Sequence, residues 1–92
     1  MIRSFRSRAL QRYWERNDVS KLPTDRIKRI EMILDRLDAS VKPSDMNLPG
    51  LDFHSLAGPN RGRHAVKVSA NWRITFGWEE EDAVQVDFED YH

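Results

Sequence analysis

The period of the apolar positions changes along the chain and divides it into elements. At the start, Ile2 and Phe5 bracket Arg3 and Ser4, which predicts a short first strand over Ile2 to Phe5. From about Ser7 to Arg16 the spacing becomes helical. Leu10, Tyr13 and Trp14 fall at i, i+3 and i+4 on one face, while Arg8, Gln11, Arg12 and Glu15 point elsewhere. This first helix should end near Asn17-Asp18. The stretch from Asp18 to Thr24, which contains Pro23, reads as a connector, with Thr24 placed to cap the next helix. In that second helix Ile27, Ile30, Ile33, Leu34 and Leu37 form an apolar stripe, and Asp25 near its start suits the positive end of the helix dipole. Tyr13 and Trp14 need cover as well, so the two helices are expected to form a hairpin on one face of a sheet.

Between Ser40 and Gly58 the chain carries Pro43, Pro49, Gly50 and Gly58 with no sustained period, as a long surface connection would. Within it, Leu51 and Phe53 can pack while His54 stays at the surface. Three strands should follow as an antiparallel meander. Val66 and Val68 mark the first, Trp72 to Trp78 form the second, and Val84 to Phe88 form the third, with an acidic turn from Glu79 to Asp82. Alternation puts Trp72, Ile74, Phe76 and Trp78 on one face and Arg73, Thr75 and Gly77 on the other. If the aromatic face lies under the helices, Arg73 is delivered to the open face. The predicted class is α+β, in the order β-α-α-β-β-β.

Ninety-two residues suffice for one domain, residues 1–92, with one core. The absence of cysteine removes disulfides and thiolate metal sites and suits a reducing cytoplasm. No apolar run reaches the length of a membrane span, so no membrane partner is expected. The net charge of zero is an average of opposites: residues 1–78 carry +7 and residues 79–92 carry −7. That asymmetry predicts a basic face for phosphates, with the acidic groups gathered in one hairpin and near the chain end.

The polar residues fit RNA cleavage without a metal. Such a reaction needs a cation for the charge gathering on the phosphate oxygens, a base for the 2′-hydroxyl and an acid for the departing 5′ oxygen. Arg73 suits the first task, since its planar, permanently charged fork matches phosphate. His54, His92 and Asp90 are the candidates for the other two, and Tyr91 for stacking on a base or orienting the ribose. Arg61 and Arg63, between Gly58 and Gly62, are candidates for cradling phosphate. His54, His64, His92, Asp87 and Asp90 include metal-ligating types, but no pair has the helical i, i+4 spacing of a zinc motif, so no metal or other cofactor is expected.

Met1-Ile2-Arg3-Ser4-Phe5, the Leu48-Pro49-Gly50-Leu51 stretch before His54, Leu56 with Gly58, Ala70-Asn71-Trp72-Arg73-Ile74-Thr75-Phe76 and the closing Glu89-Asp90-Tyr91-His92 together resemble the HigB toxins of the RelE/ParE superfamily. The resemblance spans essentially the whole chain. It implies a RelE-like α+β fold, ribosome-dependent cleavage of messenger RNA in the aminoacyl site of the small subunit, and a cytoplasmic setting. It also implies a cognate HigA-like antitoxin with a helix-turn-helix domain, and a complex of the two that represses its own operon by binding DNA. By position, His54, Asp90, Tyr91 and His92 match the family's active-site set, and Arg73 its phosphate-contacting arginine. In-line attack by the 2′-hydroxyl, leaving a 2′,3′-cyclic phosphate, follows by analogy.

One position departs from the pattern. Many relatives place a lysine between the leucine and glycine of the His-x-Leu-x-Gly stretch, where this chain has Ala57. A cation near the phosphate is therefore missing, and the resemblance then implies a weaker toxin unless Arg61, Arg63 or Lys67 compensates. Two other readings remain open at this stage. One is a non-enzymatic inhibitor of gyrase or another target, as in the ParE branch. The other is a protein that acts only within its antitoxin complex.

Overall fold

The computed structural model describes residues 1–90; Tyr91 and His92, both candidates above, lie outside the described residues. The chain forms α1 (Arg8–Arg16), α2 (Ile27–Ala39), β1 (His54–Ser55), β2 (His64–Lys67), β3 (Trp72–Glu79) and β4 (Asp82–Asp90). The four strands make one antiparallel sheet in the order β1-β2-β3-β4.

Both helices form where the apolar period places them. Ser7 caps α1 by accepting from the Leu10 amide, and Asn17 closes it in the left-handed region at φ 56°, its N–H bonding back to Arg12 and Tyr13 carbonyls. Leu10 is the one residue of α1 that is wholly buried. In α2 the predicted stripe supplies Ile30, Ile33, Leu34 and Leu37, all fully buried. These four-carbon side chains meet Val66, Ile74, Phe76 and Val86 of the sheet in one core cluster, with Tyr13, Trp14, Trp72, Trp78 and Phe88 packed around it. Thr24 does not cap α2 with its side chain. A 3-10 turn over Thr24–Arg26 comes first, entered from Pro23, and it takes up the chain direction before the helix begins.

Three other expectations change in detail. The segment Ile2 to Phe5 runs parallel to the outer edge of β4 but joins it only by bridges, Ile2 to Ala83 and Phe5 to Val86. Between them the Gln85 amide bonds to the Ser4 hydroxyl at 2.8 Å, in place of a backbone partner. The connection from Ser40 to Gly58 is less exposed than its composition suggests, because Met46 and Leu51 are buried in the core. It also contributes the short strand β1. Arg29 of α2 ties it down, donating to the carbonyls of Gly50 and Lys67, each at 2.7 Å. Finally, the acidic turn is an ion-paired clasp as well as a hairpin tip. Arg3 bonds Glu79 at 3.2 Å and Asp82 at 2.6 Å, and the terminal amine lies 3.3 Å from Asp82. Among the described residues, no helix is long and apolar enough to cross a membrane.

Candidate active site on the open face of the sheet

Strand register decides which side chains share the face turned away from the helices. Residues that pair directly across antiparallel strands lie on the same face. His54 pairs with Ala65 and Ala65 with Thr75, which pairs with Asp87. One step along, Lys67 pairs with Arg73 and Arg73 with Glu89. The open face thus carries two adjacent rows, one running from His54 to Asp87 and the other being Lys67, Arg73 and Glu89. His54 and Arg73 are two strands and two residues apart, so their Cα atoms are separated by about 12 Å. Their side chains can therefore reach toward one phosphodiester from two sides.

His54 is held by its own loop. Asp52 takes the left-handed conformation, at φ 50°, and its carbonyl lies 2.9 Å from His54 Nδ1. A carbonyl only accepts, so Nδ1 carries the proton and Nε2 keeps the basic lone pair of the neutral ring.

Arg73 is positioned by β3 and a neighbouring carboxylate. Its side chain is 19% exposed, and its Nη2 lies 3.8 Å from Glu89 Oε1. Beside it the fully buried Thr75 hydroxyl donates to Glu89 Oε2 and accepts from Arg63 Nη2 at 3.0 Å. The same Arg63 nitrogen donates to the Gln85 carbonyl at 2.8 Å. That carbonyl is available because the β3–β4 ladder shifts register between Thr75 and Gly77, and Gln85 on the longer side adopts φ 49°. Gly77 lies beside the Arg63 guanidinium: a Cβ built there would stand 3.7 Å from it, an ordinary contact, and 3.3 Å from Val84 Cγ2, its tightest neighbour. Burial first and the charge of Arg6 second lower the Arg63 pKa, while Glu89 and Asp87 act the other way. Arg6 and Arg63 are thus basic neighbours, in keeping with the predicted basic face.

Of the candidates, the structure brings His54, Arg73 and Lys67 together on the open face. Lys67 is exposed and its backbone carbonyl is fixed by Arg29. Arg61 is exposed at the end of the 3-10 turn Gly58–Asn60. Arg63, read from the sequence as part of a phosphate cradle, lies over Thr75 with donors already engaged by the sheet. Asp90 is exposed and pairs with Trp72. Alternation therefore turns it to the face opposite Arg73, and Glu89 is the carboxylate beside the arginine. Sequence reasoning did not single out Glu89 or Thr75, and weighed Asp87 only as a metal-ligating type. The signal lay in register, since Glu89 shares the face of Arg73 only once the bulge at Gln85 is counted.

This fold is the one found in RelE-like toxins. YafQ from Escherichia coli strain BL21(DE3) superimposes with a TM-score of 0.54 at 9% identity, covering 99% of this chain and 94% of that one. A copper-bound mutant toxin from Helicobacter pylori gives 0.53 at 10% identity, covering 99% and 96%. Sequence narrows the class. Residues 3–92 match the family described as the RelE-like toxin of the type II toxin-antitoxin system HigB. The whole chain is 34% identical over 92 residues to the protein named Endoribonuclease HigB in Proteus vulgaris, covering all of both. The chain belongs to the HigB-like toxin family, as its late motifs led us to expect, and membership of a type II system implies an antitoxin partner.

Proposed function

We propose that this toxin is a ribosome-dependent endoribonuclease that cuts messenger RNA in the aminoacyl site by metal-independent attack of the 2′-hydroxyl. The observation that carries this reading is the open sheet face, where His54, with Nε2 as its basic atom, shares a surface with Arg73. The name of the Proteus vulgaris relative agrees with an RNase activity.

In this mechanism His54 Nε2 removes the 2′-hydroxyl proton, and the 2′ oxygen attacks the adjacent phosphorus in line with the departing 5′ oxygen. Arg73 donates to the non-bridging oxygens as their charge grows. His92 protonates the 5′ oxygen, since Asp90 pairs with Trp72 and faces away from Arg73, and Tyr91 stacks on a base or orients the ribose. Lys67 and Arg61 contact the flanking phosphates, with Arg63 adding charge from within the sheet. The products are a 2′,3′-cyclic phosphate and a 5′-hydroxyl. The toxin is neutralised by a helix-turn-helix antitoxin, and their complex represses its operon by binding operator DNA.

The test is induction of the His54→Ala chain in bacteria lacking the antitoxin, with wild type alongside. Wild type should arrest growth and deplete intact messenger RNA, while the variant, expressed and folded, should do neither. Growth arrest by the variant, or arrest by wild type with intact messages and blocked gyrase, would contradict the proposal.

A further inference from the structure

Glu89 has no role in the chemistry above, yet it links the parts of the open face. Arg63 donates to the Thr75 hydroxyl, and that hydroxyl gives its single proton to Glu89 Oε2. The other carboxylate oxygen, Oε1, faces Arg73 Nη2 at 3.8 Å. Thr75 is fully buried and comes from the middle of β3, so it is a rigid anchor for the carboxylate. Arg63 is anchored in turn by the Gln85 carbonyl at the bulge. The result is two hydrogen bonds in series, from Arg63 to Thr75 and from Thr75 to Glu89, which set the carboxylate within ion-pair range of the guanidinium assigned to the phosphate.

An isolated surface ion pair contributes little, because two long side chains must be ordered for a screened attraction. This pair differs in that its acidic member is already fixed by a buried hydroxyl. Electrostatic catalysis depends on groups aimed before charge develops, and arginine is a long side chain with many rotamers. A carboxylate beside a phosphate site would ordinarily repel the substrate. Here it stands between two arginines, Arg63 and Arg73, that offset its charge.

We propose that Glu89 is a positioning residue, which Thr75 locks in one rotamer so that it holds the Arg73 guanidinium aimed across the open face before RNA arrives. The inference deepens the endoribonuclease reading and rests on it for its catalytic consequence. Thr75→Val keeps the shape and removes the hydroxyl, whereas Thr75→Ser keeps the hydroxyl. Glu89→Gln keeps an acceptor for Thr75 and turns an amide NH2 toward Arg73.

The experiment combines single-turnover cleavage on programmed ribosomes with the NMR order parameter of the Arg73 side-chain N–H in the toxin alone. For Thr75→Val and Glu89→Gln the cleavage rate should fall roughly tenfold to a hundredfold, the scale of a misplaced catalytic group. The ribosome concentration giving half-maximal rate should stay unchanged, and Arg73 should lose order. Thr75→Ser should restore both. If Thr75→Val fails to fold, Glu89→Gln decides. Unchanged Arg73 order, or unchanged cleavage, in a folded variant overturns the proposal. If wild type cuts no RNA, the endoribonuclease reading and the catalytic role of Glu89 fall together, while the order parameter still reports whether Glu89 holds Arg73.

Discussion

The carbonyl of Asp52 accepts a hydrogen bond from His54 Nδ1 at 2.9 Å, from a residue in the left-handed conformation. It is the backbone of Asp52 that selects the tautomer, so its carboxylate should be dispensable. Asp52→Asn and Asp52→Gly, both compatible with positive φ, should keep cleavage within about threefold of wild type. His54→Ala should lower it by about 10²–10⁴, the usual scale for general acid–base groups. Both are checked by single-turnover rates, and a large loss in Asp52→Asn would assign the carboxylate a role of its own.

Arg73 is expected to act by geometry as well as charge. Lysine is a point charge without the planar fork, so Arg73→Lys should not rescue Arg73→Ala. Each should lower the cleavage rate by about 10²–10³, as for loss of one transition-state donor, with a smaller effect on ribosome binding. Equal loss of binding and cleavage would make Arg73 a docking residue.

Ala57 offers a gain-of-function test. It is exposed, in an ordinary extended conformation at φ −116°, just beyond β1. Ala57→Lys supplies the cation that the family resemblance led us to expect at this position and should raise the cleavage rate by about tenfold or more if that charge reaches the phosphate. An unchanged rate would mean that Lys67 or Arg61 already supplies it.

The third histidine concerns stability. His64 stacks against Phe53, with ring centroids 5.7 Å apart, and lies 5.6 Å from Phe76, while Ser55 Oγ approaches its Nδ1 at 2.9 Å. Burial first and the charge of Arg63 second hold its pKa below the ordinary value. The folded chain therefore binds this proton less readily than the unfolded chain. The resulting stability is fully present above the unfolded pKa, about 6.5, and is lost as pH falls toward the lower folded value. Urea midpoints measured from pH 8 down to 5 should fall for wild type across this window, and less for His64→Gln. Parallel curves would exclude His64 as the source.

How legible the molecule was in its sequence depended on the range of the interactions. The stripe from Ile27 to Leu37 and the alternation from Trp72 to Trp78 are local patterns, and both helices and the β3–β4 hairpin follow them. Thr24 failed as a cap because Pro23 feeds a 3-10 turn, a choice set by a few backbone angles. The strand β1 was missed because two residues carry no period; it exists through pairing with β2 and the anchoring of its connection by Arg29. His54 and Arg73 could be named from residue chemistry and motif. Glu89 could not, because its place beside Arg73 depends on a register shift at Gln85 that no local pattern announces.

The measurement that bears most directly on the account is cleavage of a defined messenger RNA by the purified toxin, stripped of metal beforehand, with and without programmed ribosomes in their own magnesium buffer, mapping both new ends. We predict cuts only when ribosomes are present, within the codon in the aminoacyl site, leaving 2′,3′-cyclic phosphate and 5′-hydroxyl ends. Intact RNA in every condition, from folded toxin bound to ribosomes, would contradict it, as would cleavage that is lost on stripping the toxin of metal and regained on restoring the metal to it.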